Sequence, residues 1–410
     1  MIGGPSAGFK GSSEEMRNIS GKIEELLNKG VVIPDPHNVY IGDEVDTGRI
    51  SGNGVIIYPG CRIYGSSVLI LDNVTIGREG PVTLENCQVG PEVNIKGGFF
   101  KEAVFLKGAS LGSGSHVREG TILEEEAGIA HTVGLKQTIL FPYVTLGSLI
   151  NFCDCFMSGG TGRKDHSEAG SSYIHFNYTP GQDKATPSLL GDVPNGVMLK
   201  QKPIFLGGQG GLVGPCRLTF GTTVAAGTIC RKDELRPGRL IFGGPSRSGN
   251  IPYTPGDNRN IKRILTNNIV YISNLTALMH WYSHVRYQLI SADFPEALLD
   301  GLKKRLDSAV SERLKRLKEF VDKNCGTNTA SDRWPEFKNC FISDSGMEGI
   351  MPLRDSFLEI IASGIRKYGK DYLTVINNLN DEESNTGTKW LQKIVDAKTA
   401  EAAKIMVSGS

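Results

Sequence analysis

The sequence predicts a mainly-β fold: a left-handed parallel β-helix of hexapeptide repeats over residues 39–250, preceded by one short helix within residues 1–38 and followed by an all-α domain over 258–410. Three observations carry this. An apolar residue recurs every six positions through much of the first half, the chain's 51 glycines are concentrated before residue 250, and helical spacing takes over after a Pro/Gly-rich stretch ending at Asp257.

The first ten residues are Gly-rich and carry no period. Ser12 with Glu15 then has the form of a capping box, opening an amphipathic helix through Ile23, Leu26 and Leu27, with Gly30 as its stop. From Val55 the chain reads in sixes as VIIYPG, CRIYGS, SVLILD and NVTIGR, and from Val117 as VREGTI, LEEEAG, IAHTVG, LKQTIL and FPYVTL. In the second block Val117, Leu123, Ile129, Leu135 and Phe141 are spaced by six. A helix repeats at about 3.6 and a half-buried strand at about 2. A period of six with small residues at the corners fits a three-sided prism, each hexad making one face and one corner. The spacing breaks at Glu79-Gly80, near Gly97 to Lys101, and between Met157 and Ala169, where loops are expected to leave the coil. Such departures often carry function. Beyond Asp257, Ile261, Ile264, Leu265, Ile269, Ile272, Leu275, Met279 and Tyr282 fall at helical spacing, and further helical patterns cover about 295–323, 353–378 and 386–405.

Composition excludes several classes of partner. Lys and Arg total 45 against 44 Asp and Glu, a net charge of +1, so no basic excess draws nucleic acid or anionic lipid. No apolar run approaches the roughly 20 residues that span a bilayer. Eight scattered cysteines without a secretory segment read as reduced thiols of a soluble, cytoplasmic protein, and Cys153 and Cys155, one residue apart, lack the spacing of a zinc half-site, so no metal is expected. The Gly207–Gly211 run lacks the Lys-Ser/Thr of a phosphate loop and reads as coil corners.

Polar residues gather around Arg118, His131, Lys136, Asn151, Arg163, Lys164, Asp165, His166, His175, Asn177, Tyr178 and Lys184. Arg118 and Lys136 stand eighteen residues apart, one coil, so they should stack on one face and grip one anion. His131, His166 and His175 are candidate general bases, since an imidazole exchanges protons near neutral pH. His166 is preferred because two cations and Asp165, able to orient the ring, flank it.

These residues, with the entry LLNKGVVIPDPHNVYIG, the stretch VREGTILEEEAGIAHTVGLKQT, the tripeptide Phe176-Asn177-Tyr178, and FLGGQGGLVGP through VAAGTIC, resemble a known family. The sequence is similar, from about Leu26 to Asp233, to the acetyltransferase half of the bacterial bifunctional UDP-N-acetylglucosamine pyrophosphorylases/glucosamine-1-phosphate N-acetyltransferases, within the hexapeptide-repeat acyltransferase superfamily. The resemblance implies a homotrimer with sites between neighbouring prisms, an amino sugar phosphate or nucleotide sugar as ligand, and acetyl-CoA as acyl donor. It implies phosphate and sugar contacts at Arg118 and Lys136, with Asn151 on the same face. It also implies an Asn177–Tyr178 pair at the sugar–acyl junction, Lys184 just beyond, and a CoA wall at Gly208, Ala225 and Ala226. Two departures stand out. The coil Leu149-Ile150-Asn151-Phe152, where the family places its catalytic histidine, offers Asn151 or Phe152, neither of which is a general base, so His166 with Asn177 becomes the candidate catalytic pair. No Gly-rich uridylyltransferase signature precedes the repeats. A non-catalytic sugar-nucleotide-binding or scaffold protein is therefore the alternative to an acyltransferase.

Overall fold

A computed structural model describes residues 20–176, 184–243, 260–324, 333–343, 347 and 349–407. The hexads fold as a left-handed parallel β-helix of about eleven turns. Its strands stack into three parallel sheets of ten, ten and eight strands. We call these face A (from Ile56–Ile57 to Leu240–Ile241), face B (from Tyr40–Ile41 to Ile229–Cys230) and face C (from Leu69–Ile70 to Arg217–Leu218).

Register sets the coil. Ala103 pairs with Thr121 and Ser110 with Gly128, a rung of eighteen residues, whereas Ile122 pairs with Ile139, a rung of seventeen. The predicted hexad residues Val117, Leu123, Ile129, Leu135 and Phe141 are all buried. Corners need left-handed backbone, and glycine holds many of them, but Glu102, Gln137 and Asp154 also take positive φ at the corner between faces B and C. A non-glycine residue there costs about 1–2 kcal/mol, and Glu102 and Asp154 recover some of that through their side chains, as described below.

The N-terminal helix, α1, spans Gly21–Lys29; its cap is Ser20, whose side chain accepts from the Ile23 amide, and Gly30 at φ 105° ends it as expected. The capping box expected at Ser12 and Glu15 lies outside the described residues. Of the three expected departures, Gly98–Lys101 is a regular face-B strand. The segment after Met157 does leave the coil, as a hairpin pairing Gly160–Gly162 with Asp165–His166. A second excursion follows the face-C strand Ser188–Leu190 and carries the short helix α2, Val193–Gly196. Both excursions sit at the corner between faces C and A, and Gly160 bridges to Gln201 across them.

The C-terminal half is helical: α3 Ile261–His280, prolonged by a π-helical turn Trp281–Arg286, then α4 Glu296–Asn324, α5 Trp334–Ile342, α6 Met351–Tyr368, α7 Tyr372–Asn377 and α8 Asp381–Val407. These helices cover face C, and one hydrophobic core runs from the coil into them. The strands Ala103–Phe105 and Cys155–Met157 are therefore buried on both sides. A sheet covered on both faces reads as a continuous apolar run, and AVFL and CFM are such runs.

Charged residues fix the helices to both edges of face C. Along one edge Arg305 reaches Glu102 at 3.1 Å and Arg313 reaches Asp154 at 2.6 Å. Along the other, Arg286 pairs with Glu125, and the Tyr282 hydroxyl donates to Glu124 at 2.5 Å. The Arg286 guanidinium lies between the rings of Phe294 and Tyr372, 4.3 and 3.9 Å from their centroids. The second excursion is an anchor as well. The Val193 amide donates to Asn274, Thr388 donates to the Pro194 carbonyl, and Lys200 pairs with Asp381.

Arg313→Met leaves Asp154 buried without its cation and should lower unfolding free energy by about 3 kcal/mol in urea melts, as broken buried pairs do. Burial, reinforced by the adjacent Glu125 charge, pushes the Glu124 carboxyl up to about 8. The folded state then keeps a proton that the unfolded chain has lost, so this contribution is whole below the ordinary carboxyl range and disappears as pH rises through about 8. Melting temperature should fall between pH 5 and 8 more steeply in the native protein than in Glu124→Gln.

Candidate functional site

A groove of about 490 Å³ runs across face B, lined among others by His116, Arg118, Gly134, Lys136, Leu149, Asn151 and Cys153. Three successive strands build it: Ser115–Val117, Gly134–Lys136 and Asn151–Cys153. His116 pairs with Gly134 and Gly134 with Asn151, while Lys136 pairs with Cys153. The Arg118 amide donates to the Leu135 carbonyl, so Arg118 is level with Lys136 on the neighbouring rung. Alternation along the strand sends His116 and Arg118 outward and Val117 into the core.

Glu119 sits beside both cations, 2.7 Å from the Lys136 ammonium and 3.7 Å from Arg118. Partial burial raises its carboxyl, but the Lys136 hydrogen bond, a backbone hydrogen bond and the two cations outweigh this and hold it below its ordinary value. A second anion on Arg118 and Lys136 would compete with a carboxylate already there. Cys153, paired with Lys136, lines the groove as well. Burial and the neighbouring Asp154 charge raise its thiol despite Arg118 and Lys136, so it stays protonated at neutral pH and is a weak nucleophile.

The structure brings together Arg118, Lys136 and Asn151, and it does not place His166 with them. His166 belongs to the hairpin at the C–A corner, so the prism core separates it from face B. Nor does Asp165 orient it: that carboxylate accepts from Thr161 at 2.9 Å, and the His166 Nδ1 is buried without a partner. Arg163, from the same hairpin, donates to the Glu126 and Tyr143 carbonyls and to Thr145, which ties the hairpin to the adjacent coils. The reason is topological: the hairpin is spliced between a face-C and a face-A strand, so no length of it lies over face B.

Of the other histidines, His131 accepts from or donates to Ser148 at 2.8 Å at the A–B corner. His175 is a core residue, 2.9 Å from Ser188. Lys184 is exposed at the B–C corner, and its carbonyl accepts from Arg313. Asn177 and Tyr178 lie outside the described residues. Gly208, Ala225 and Ala226 line the A–B corner on later coils. A Cβ on Gly170 would come within 2.6 Å of the Gly208 amide and one on Gly207 within 2.3 Å of that of Ala226, so close stacking of coils demands glycine at positions 170 and 207.

One groove residue escaped the sequence reading. His116 immediately precedes the hexad starting at Val117; its two-residue offset from Arg118 was the available signal. Its ring stacks on Phe99 at 5.0 Å and 22°.

The fold defines a hexapeptide-repeat β-helix protein whose face-B groove carries the paired cations Arg118 and Lys136 with Glu119 between them. No family model matches the chain. Among characterised proteins it is similar to the bifunctional protein GlmU of Thermotoga maritima, 30% identical over 213 residues, which is 52% of this chain and 42% of that protein. It is 26% identical over 227 residues to GlmU of Corynebacterium aurimucosum (55% and 41%) and 28% identical over 241 residues to GlmU of Pelobacter propionicus (58% and 45%). The matches thus span less than half of these relatives' length, in their C-terminal part, consistent with the β-helix half. Among the described residues, no helix is long and apolar enough to cross a membrane.

Burial pushes the His175 ring down to about 4, so it is neutral at pH 7. The unfolded chain takes up this proton first as pH falls, so stability should decline from about pH 6.5 to about 4. His175→Leu should flatten that decline in thermal melts, and in the native protein the ring resonances should not titrate above pH 5.

Proposed function

We propose that the chain acts in amino-sugar nucleotide metabolism and holds an amino sugar phosphate or nucleotide sugar in the face-B groove, with phosphate between Arg118 and Lys136. The one-coil register of these two cations carries the reading. Arginine supplies a planar fork and lysine a point charge, and together they suit a phosphate better than a lone carboxylate. Glu119 keeps them in place until a ligand displaces it. Asn151 is an uncharged hydrogen-bonding group of the groove, and Asn177, Tyr178 and Lys184 are the residues that the resemblance assigns to the sugar–acyl junction.

The reaction suited to such a ligand is acyl transfer. Acetyl-CoA supplies the acyl group as a thioester; the sugar amine forms the new C–N bond, the C–S bond breaks, and a base takes the proton from nitrogen. The A–B corner carries the small residues Gly207, Gly208, Ala225 and Ala226 on neighbouring coils, with the exposed Gln209 beside them, which leaves a stretch of backbone accessible to a thin pantetheine arm. His166 can serve as base only in the groove of a neighbouring copy, which the proposed homotrimer would provide. Such an assembly would also cover Tyr40, Ile174 and Ile229 on face B, apolar side chains that are 50%, 37% and 41% exposed in the single chain. The second reading is ligand binding without catalysis, favoured by the position of His166 away from the groove.

Calorimetric titration with UDP-N-acetylglucosamine or glucosamine-1-phosphate should show binding that Arg118→Ala weakens at least tenfold; flat titrations with both would overturn the groove assignment. Thiol release from acetyl-CoA in the presence of glucosamine-1-phosphate, lost in His166→Ala, is the outcome expected of an acyltransferase. Binding without thiol release would leave the non-catalytic reading.

A further inference from the structure

The outward column of face B that passes through the groove reads Thr83, Phe99, His116, Gly134, Asn151, Ile174 on successive rungs. Gly134 is the one rung among these without a side chain, and the fold does not require a glycine there. Its φ is not left-handed, and a Cβ would meet nothing closer than the Asn151 Oδ1 at 3.5 Å, ordinary van der Waals contact. By contrast, a Cβ on Gly98, at φ +132°, would collide with the Ser115 carbonyl at 2.1 Å. Gly134 therefore leaves a slot that neither backbone geometry nor coil packing explains.

The slot has the dimensions of a flat ring. Rungs are about 4.8 Å apart, so His116 and Asn151, two rungs apart, are separated by about 9.6 Å at Cα. A planar group entering over Gly134 would find one face of the His116 ring. Phe99 already stacks on His116 at 5.0 Å, so rings in this column stack at rung spacing, within the roughly 4.5–7 Å usual for aromatic pairs. On the other side stands the exposed Asn151 amide, a planar group that can cover the second face of an inserted ring while its Oδ1 accepts from the Cys153 thiol at 3.8 Å. Arg118 and Lys136 lie in the next outward column, two residues along each strand, or about 6.6 Å at about 3.3 Å per residue. That is close to the reach of a ribose between its base and first phosphate.

We infer that the groove takes a nucleotide, its base inserted over Gly134 between the His116 ring and the Asn151 amide and its phosphates on Arg118 and Lys136. This rests on the anion-groove reading above and narrows its ligand from any sugar phosphate to one carrying a nucleobase. The base can belong to a nucleotide sugar or to the adenosine end of an acyl-CoA; both would use the same stacking and amide contacts.

Calorimetry with UDP, ADP and inorganic pyrophosphate tests the slot. The native protein should bind UDP or ADP at least tenfold more tightly than pyrophosphate, and the nucleotide that gains more identifies the base. Gly134→Leu, which fills the slot, and His116→Ala, which removes the stacking face, should each bring that ratio to within about twofold of one. Arg118→Ala should weaken nucleotide and pyrophosphate alike. Gly134→Ala, whose Cβ fits, serves as the folding control by thermal melt. If pyrophosphate binds as well as either nucleotide, or if the ratio survives in His116→Ala and Gly134→Leu, the slot is overturned while the phosphate grip stands. If no phosphate compound binds the native protein, the groove reading falls with it.

Discussion

Parallel pairing between consecutive coils is the constraint on which everything else depends. Once Ser110 pairs with Gly128 and His116 with Gly134, each outward position becomes one member of a column running along the prism, and its neighbours are set by coil length rather than by local sequence. Arg118 and Lys136 are neighbours for this reason alone. The same pairing sends Val117, Leu135 and Phe152 inward, so the chemistry of face B stands on a core that cannot slip by one residue without turning every side chain over. Corner insertions leave it untouched: Thr145 pairs with Glu168 although the hairpin of Gly160–Gly162 and Asp165–His166 intervenes between the face-C strand and Glu168.

The repeat and the stacking of Arg118 on Lys136 were legible because each depends on spacing. A period of six names the interior residues, and a difference of eighteen names the stacked cations. Direction was not legible where the chain leaves the coil. His166, flanked by Arg163, Lys164 and Asp165, has the local look of a site, but its place depends on which corner the hairpin extends from, and the sequence around it does not encode that. His175 looked equally polar and proves to be interior, because it is one residue on from Ile174 in a strand whose outward member is Ile174. Alternation could have sorted both His116 and His175 had it been applied strand by strand. Asn177 and Tyr178 remain assigned by resemblance alone.

Face C explains why this β-helix carries helices at all. A prism face rich in runs such as AVFL would expose an apolar surface, and α3 and α4 cover it. The attachment is polar at its edges and apolar between them. Arg286, Arg305 and Arg313 each meet a carboxylate at a corner of the coil, which fixes where the helices land, while the shared core supplies the hydrophobic contribution. Two of those carboxylates, on Glu102 and Asp154, are on residues held at positive φ. A glycine would suit the backbone better there but would offer the helices nothing to hold.

The course of α4 along the prism has a mechanical consequence. A bare solenoid is a one-dimensional stack in which each turn touches only its neighbours, so its ends fray and turns can peel away singly. Here a single 29-residue helix contacts the face-C strands Gln88–Val89, Ala103–Phe105 and Thr121–Leu123 and, through Arg313, reaches the coil of Asp154. It is a splint laid across several turns. Coils that do not touch one another are thereby joined into one unit, and the groove, which lies within the splinted length, shares the rigidity of the whole rather than that of a single rung.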